Sequence, residues 1–288
     1  MRGDSGVLPP EFEYVRARDV AEAVRVLADS AEGRVLAGGQ SLLPLLRSRR
    51  VLPDVLVDLG GVAELHGVRD EGDALWIGAL STHHEVACDP LVRAHAPLLA
   101  QAAAAVADPA VRRRGTVGGA LAHADPVFDL PAVAVALGAE CRVAGPEGER
   151  GVPAARFFVG AGAAAIGPNE VVTGLRVPRW PGWSFHYERF PSDGRSWAVA
   201  GAAAGVRLVD GHIAAARVVL GNLGPTPLRA SAVEAACAGL PLRAAPVRAA
   251  ARAVDADVVP PDAVGDQDRQ RGLARVLAGR ALIAAAEV

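Results

Sequence analysis

The chain has 288 residues, 51% of them hydrophobic and 22% charged, with a formal net charge of -2. That length serves one large or two moderate domains, and that balance excludes a disordered chain. A charge so near zero argues against nucleic acid or an anionic membrane as the partner.

Asp19 and Glu22 read as a capping box ahead of a short amphipathic helix carrying Val20, Val24 and Leu27. Arg34 to Ala37 reads as a strand running into Gly38-Gly39. Ser41 is placed to cap a helix with Leu42, Leu45 and Leu46, and Val55 to Leu59 is a second strand. The alternation predicts a small α/β unit with parallel strands. Leu75 to Leu80 is a third strand, Thr82 and Glu85 box the start of a short helix, and Pro97 to Val106 is helical. Val111 to Ala122 breaks all periodicity with Gly115, Gly118 and Gly119. Pro126 to Leu137 then reads as a helix, and Glu140 to Ala144 and Val171 to Val177 as strands. Pro178 to Gly182 reads as a domain boundary. Beyond it Phe185 to Phe190, Ala198 to Val209 and Ile213 to Leu220 are strands, the last two joined by a hairpin at Asp210-Gly211. Helices over Ala230 to Ala238, Ala244 to Ala253 and around Leu273 to Ala284 close the chain, and no internal repeat is evident.

Some chemistry is excluded by inventory. Cys88, Cys141 and Cys237 are too scattered to hold zinc or an iron–sulfur cluster, and their odd number argues against a disulfide framework. A reducing cytoplasm is the expected location. Met1 to Pro10 lacks the apolar core of a signal peptide, and no unbroken apolar run reaches the about 18 residues of a membrane span. Every basic residue is arginine, so any cationic group is a guanidinium.

Two glycine segments carry the candidate site. Ala37-Gly38-Gly39-Gln40-Ser41 lies between a strand and a helix start, where paired glycines let backbone N–H groups turn to an anion. Taken alone, Gly-Gly here is more simply a tight turn. The second segment is Arg112-Arg113-Arg114-Gly115-Thr116-Val117-Gly118-Gly119, leading to Ala120 and on to His123-Ala124-Asp125-Pro126. Two such segments, each with a hydroxyl residue, suit a ligand with two phosphates, and a dinucleotide is such a ligand. Gly160 to Ala165 fits the G-x-G-x-x-G/A fingerprint of nicotinamide sites, but Gly167-Pro168 ends any helix within a turn and no acidic partner follows at the required distance. His83-His84-Glu85 reads as a solvent-exposed helix start rather than a metal site, because adjacent histidines point to different helix faces. His123 and Asp125 are equally readable as a proton relay or as a pair that stabilises a loop.

These segments resemble one family. Ala37-Gly38-Gly39-Gln40-Ser41-Leu42-Leu43-Pro44 and Arg114-Gly115-Thr116-Val117-Gly118-Gly119, continuing to His123-Ala124-Asp125-Pro126, are similar to the two signatures of the medium subunit of carbon monoxide dehydrogenase-type molybdenum hydroxylases. The FAD domain of xanthine dehydrogenase is related. Ile77-Gly78-Ala79 with Thr82 and His83, Asp108-Pro109 before Val111-Arg112, and Asn222 to Ala230 extend the likeness over nearly the whole chain.

The resemblance implies an α+β fold: a two-lobed FAD-binding domain (PCMH-type) over 1–178, with lobes of about 1–60 and 61–178, then a domain over 183–288 with a small antiparallel sheet and helices. It implies FAD held by Ala37, Gly38, Gly39, Gln40, Ser41 and Leu42 on one side and by Thr116, Val117, Gly118, Gly119 and Ala120 on the other, with Asp125 near the flavin ring. It implies no catalytic residue and no metal in this chain. It further implies an electron-transfer role in a complex with a molybdopterin-containing large subunit and a [2Fe–2S] small subunit; the alternative is a stand-alone FAD-dependent oxidase acting on a small organic substrate. The chain departs from the family at Arg113, where Asn is usual, at Arg195-Ser196 before Trp197, where Asp or Gly-Asp is often found, and at Val199, near which some relatives place a lysine. The last two departures bear on the acceptor, because that edge of the flavin faces it.

Overall fold

In the computed structural model, which describes residues 11–192, 195–258 and 267–287, the chain opens with a three-stranded sheet. The strand β1 (Glu13–Arg16), the helix α1 (Val20–Asp29), the strand β2 (Arg34–Leu36), the helix α2 (Leu42–Arg47) and the strand β3 (Val55–Asp58) form this first lobe. Its order is β1-β3-β2 with both pairings parallel, as the strand-helix alternation predicts. The strand β1 is an addition to that reading. Asp19 caps α1 by accepting from the Glu22 N–H at 2.7 Å. Glu22 does not complete a box with Asp19; its carboxylate takes the N–H and guanidinium of Arg18. Ala23, Val24 and Leu27 bury the inner face of α1 with Val55 and Val57.

The second lobe carries β4 (Val68–Asp70) and β5 (Ala74–Gly78), then α3 (His83–Cys88), α4 (Pro90–His95), α5 (Pro97–Ala105), α6 (Pro109–Arg112), α7 (Val117–His123) and α8 (Asp129–Ala136). It closes with β6 (Glu140–Gly145), β7 (Gly148–Pro153), α9 (Ala154–Phe157), the hairpin pair β8 (Phe158–Gly160) and β9 (Ala163–Ala164), and β10 (Val171–Pro178). Its main sheet is antiparallel in the order β4-β5-β10-β6-β7. Thr82 and Glu85 form the expected capping box at α3. The helix expected from Pro126 starts at Asp129, because Asp125 first closes a turn onto the N–H groups of Val127 and Phe128. The nicotinamide-like glycines of Gly160 to Ala165 form the β8–β9 hairpin, with no helix after them.

After the turn at Trp180 to Gly182 come β11 (Trp183–Ser192), β12 (Arg195–Val209), β13 (His212–Gly221) and β14 (Leu228–Arg229), an antiparallel sheet in chain order. Asp210 and Gly211 both have positive φ, 50° and 73°, as a two-residue hairpin turn of this twist requires. The helices α10 (Ser231–Cys237), α11 (Ala244–Ala250) and α12 (Gln267–Ala285) pack on this sheet over a core of their own. No helix among the described residues is long and apolar enough to cross a membrane.

Candidate functional site

A cleft of about 690 Å³ runs between the first two lobes. That is within the few hundred to about 1,000 Å³ usual for small-molecule sites. Ala37, Gly38, Gly39, Gln40, Ser41 and Leu42 line one wall, and Gly115, Thr116, Gly118, Gly119 and Ala120 line the other. Val117 lies between them in sequence but is fully buried behind the wall.

The two walls touch. A Cβ on Gly38 would stand 1.9 Å from the Arg114 carbonyl oxygen, so only glycine lets the first turn lie on the second. Gly39 adopts φ 73°, a left-handed conformation that favours glycine, and turns the chain into α2. Among the described residues, the N–H groups of Gly38, Gly39, Gln40 and Ser41 donate to no protein acceptor. Four adjacent free N–H groups in residues that line a cleft are the kind of backbone arrangement that can accept an anion. Ser41 was expected to cap α2; it has helical φ and ψ of -102° and -45°, and its side chain makes no cap bond. An N-cap requires extended backbone to aim its oxygen at the helix N–H groups.

The second wall works differently. The stretch read as aperiodic is helical from Val117, with both glycines inside the first turn of α7. Thr116 caps it, accepting from Gly119 N–H at 3.1 Å. The N–H groups of Val117 and Gly118 are committed to the carbonyls of Ser81 and Ala79 at 3.0 and 2.8 Å. These bonds seat α7 on the end of β5, and a Cβ on Gly118 would stand 2.4 Å from that of Ala79. The second wall therefore offers shape and close approach, while the first offers donors.

His83, expected at a solvent-exposed helix start, is 4% exposed and lines the cleft. Its N–H bonds to the Gly115 carbonyl, and its ring lies against Gly115. Burial pushes its pKa down to about 4, so the imidazole is neutral at physiological pH. His84 and Glu85 stand outside on the exposed side of α3. His123 lines the cleft and stands 4.0 Å from Asp125, which is not among the lining residues; the Asp125 carboxylate accepts from Val127 N–H at 3.0 Å.

Charged residues that the sequence did not single out also line the cleft, among them Asp129, Glu170 and Arg189. Asp129 is 5% exposed, and burial raises its pKa against the lowering effects of Tyr187 and Arg189. A lone acid opening the otherwise apolar run of α8 was a signal available in the sequence. Arg189, on β11, was not discoverable that way, because only the fold brings it to this cleft. Arg113 is exposed, Val199 is half-buried, and the side chains of Arg195, Ser196 and Trp197 lie outside the described residues.

The comparisons with known proteins fit this arrangement. Residues 10–180 match the FAD binding domain in molybdopterin dehydrogenase, and residues 185–285 match the CO dehydrogenase flavoprotein C-terminal domain. The chain belongs to the FAD-binding medium subunits of molybdenum hydroxylases. Within that family it is 38% identical to the carbon monoxide dehydrogenase medium chain of Hydrogenophaga pseudoflava over 284 residues, 97% of this chain and 98% of that one. A solved structure of carbon monoxide dehydrogenase from the same organism, lacking the Mo-pyranopterin moiety of its molybdenum cofactor, superposes with a TM-score of 0.92 at 40% identity, covering 98% of this chain and 99% of that one. Quinoline 2-oxidoreductase from Pseudomonas putida 86 gives the same TM-score of 0.92 at 33% identity, with coverage of 98% and 99%. As a member of this family the chain is an oxidoreductase flavoprotein subunit whose cofactor is FAD.

Proposed function

We propose that the nest of four free N–H groups, Gly38 to Ser41, holds the FAD pyrophosphate against the glycine face of α7, and that the chain relays electrons rather than oxidising an organic substrate itself. The nest carries this reading, because no described protein group satisfies those donors and phosphate oxygens would. The contact residues proposed are Ala37 to Leu42 and Thr116 to Ala120, with Val117 acting from behind the wall. Asp125 acts on the flavin end through its neighbour His123. FAD, when bound, supplies the ability to take up electrons and release them in a different number per step.

The remaining roles belong to protein groups. The loop amides bind and orient, the apolar wall formed by Leu42, Ala120, Val127 and Ile166 excludes water, and neutral His83 adds no charge beside the phosphates. Electrons arrive from a [2Fe–2S] small subunit, which takes them from a molybdopterin-containing large subunit, and leave to an external acceptor. The scattered cysteines support clusters housed elsewhere, and three unpaired thiols support a cytoplasmic location. Relatives named for substrates as different as carbon monoxide and quinoline share this fold, which supports placing substrate choice in the large subunit.

The test is anaerobic mixing of the purified chain with organic substrates, followed at the flavin absorption band. No bleaching is expected until the partner subunits are added, and the flavin should be recovered as one non-covalent FAD after denaturation. Bleaching by a small substrate with this chain alone would overturn the relay in favour of an oxidase.

A further inference from the structure

Asp129 is the first residue of α8, where the positive end of the helix favours a carboxylate. Its Oδ1 accepts from the Tyr187 hydroxyl at 2.5 Å, and its Oδ2 lies 3.3 Å from Arg189 Nε. Both partners come from β11, across the chain turn at Trp180 to Gly182. Arg189 is anchored in turn, donating from Nη1 to the carbonyl of Ala105 at the end of α5. Tyr187 is itself buried, and its backbone N–H donates to Gln101 Oε1 at 2.9 Å. The neighbouring strand is shaped for it: a Cβ on Gly201 of β12 would stand 2.3 Å from the Tyr187 hydroxyl oxygen, so glycine there is what admits the phenol.

A buried carboxylate is costly to keep unless its lone pairs are used. Each oxygen carries two acceptor sites, so one partner apiece among the described residues leaves acceptor capacity on a carboxylate that lines the cleft. A carboxylate would repel phosphate but accepts readily from hydroxyl or ring N–H groups. The nest at Gly38 to Ser41 already takes the anionic part of a dinucleotide, so Asp129 meets its sugar-alcohol or ring donors.

We propose that Tyr187, from the C-terminal domain, is a positioning residue for the FAD cleft: its hydroxyl fixes the Asp129 carboxylate so that the remaining lone pairs receive donors of the bound cofactor. The proposal rests on the FAD reading above and adds that the C-terminal sheet helps to build the cofactor site. No bond is made or broken, and the effect is on affinity alone.

The experiment is titration of FAD into the full-length apo chain, with thermal unfolding of each apo variant alongside. Tyr187→Phe keeps the buried ring and removes one hydroxyl; it should weaken FAD binding about tenfold, the size of a hydrogen bond to a charged group. Asp129→Asn should weaken binding at least as much. The double variant should be no weaker than Asp129→Asn, because Tyr187 acts through that carboxylate. Gly201→Ala displaces the hydroxyl from the opposite side and should reproduce Tyr187→Phe, which keeps the test available if either variant folds poorly. Wild-type affinity in both Tyr187→Phe and Gly201→Ala, or effects of Tyr187→Phe and Asp129→Asn that multiply, would overturn the positioning role. Those results would leave the FAD reading standing if Gly39→Val still loses the cofactor. Failure of the wild-type chain to take up FAD would instead overturn the FAD reading itself.

Discussion

At the scale of single residues, the glycines of the two walls divide by what a side chain would hit. Gly39 has φ 73°, and a Cβ there would crowd the flexible Leu43 side chain at 2.9 Å and make ordinary contact with Leu36 at 3.5 Å. Gly39→Val therefore distorts the nest at a cost of about 1–3 kcal/mol. We expect it to lose FAD during purification while the apo protein melts only a few degrees lower. Gly118 faces the Ala79 backbone at 2.9 Å, so Gly118→Val forces α7 off β5 and should cost more stability than Gly39→Val. Equal melting temperatures in the two would contradict this division. His83 gives a pH prediction of definite sign. Its folded pKa of about 4 lies below the unfolded value of about 6.5, so at pH between these values the unfolded chain binds a proton that the folded chain does not. The contribution is intact above pH 6.5 and falls progressively toward pH 4, by about 3 kcal/mol in all. His83→Gln should flatten the stability profile across that interval in chemical denaturation; an unchanged slope would remove His83 as its source.

At the scale of elements, the sequence exposed what short-range chemistry determines and hid what packing determines. The parallel strands around Arg34 and Val55, the box at Thr82 and Glu85, and the hairpin at Asp210-Gly211 were legible because caps, turns and periodicity are local. The strand β1 was not, because four residues with one half-buried side chain carry no clear alternation and are ordered by pairing with β3. The helix α7 was misread as irregular because its two glycines oppose helix formation by about 1 kcal/mol each. Tertiary contact overrides this: Thr116 caps the helix, and the glycines are what let it approach Ala79 and the first wall. The glycine segments of the candidate site and the backbone donors of the first were thus readable in the sequence, while the commitment of the second segment's N–H groups to Ser81 and Ala79 was not. Thr116→Ala should cost about 1 kcal/mol of stability through the lost cap and also lower FAD affinity, since Thr116 lines the cleft. Thr82→Ala, at a cap outside the lining, should cost similar stability with FAD affinity unchanged. Parallel denaturant melts and FAD titrations separate the two, and equal affinities would place the α7 cap outside the cofactor site.

At the scale of the molecule, the turn at Pro178 to Gly182 divides the chain in sequence more sharply than in space. Phe185, Tyr187, Ala203 and Val219 of the C-terminal sheet belong to the same buried cluster as Leu99, Leu130 and Leu175 of the second lobe. Polar groups cross as well. Arg217 donates to the carbonyls of Ala136 and Val135 at 2.8 and 3.1 Å, capping the end of α8, and its guanidinium lies 4.9 Å from the Trp180 ring. Trp180 Nε1 reaches the Leu137 carbonyl at 2.9 Å. Removing the C-terminal sheet would expose the apolar faces beneath those four side chains, a loss of order 5 kcal/mol at the usual transfer values. That is comparable with the whole stability of an ordinary domain, about 5–15 kcal/mol. A fragment of residues 1–182 should consequently expose apolar surface, bind a hydrophobic dye and retain little FAD, whereas the full chain should unfold in one cooperative step. Calorimetry of the full chain and FAD titration of the fragment test this together. A fragment that melts cooperatively near the full chain's midpoint and takes up FAD with full affinity would show that the lobes stand alone, and that the C-terminal sheet contributes nothing to the cleft it borders.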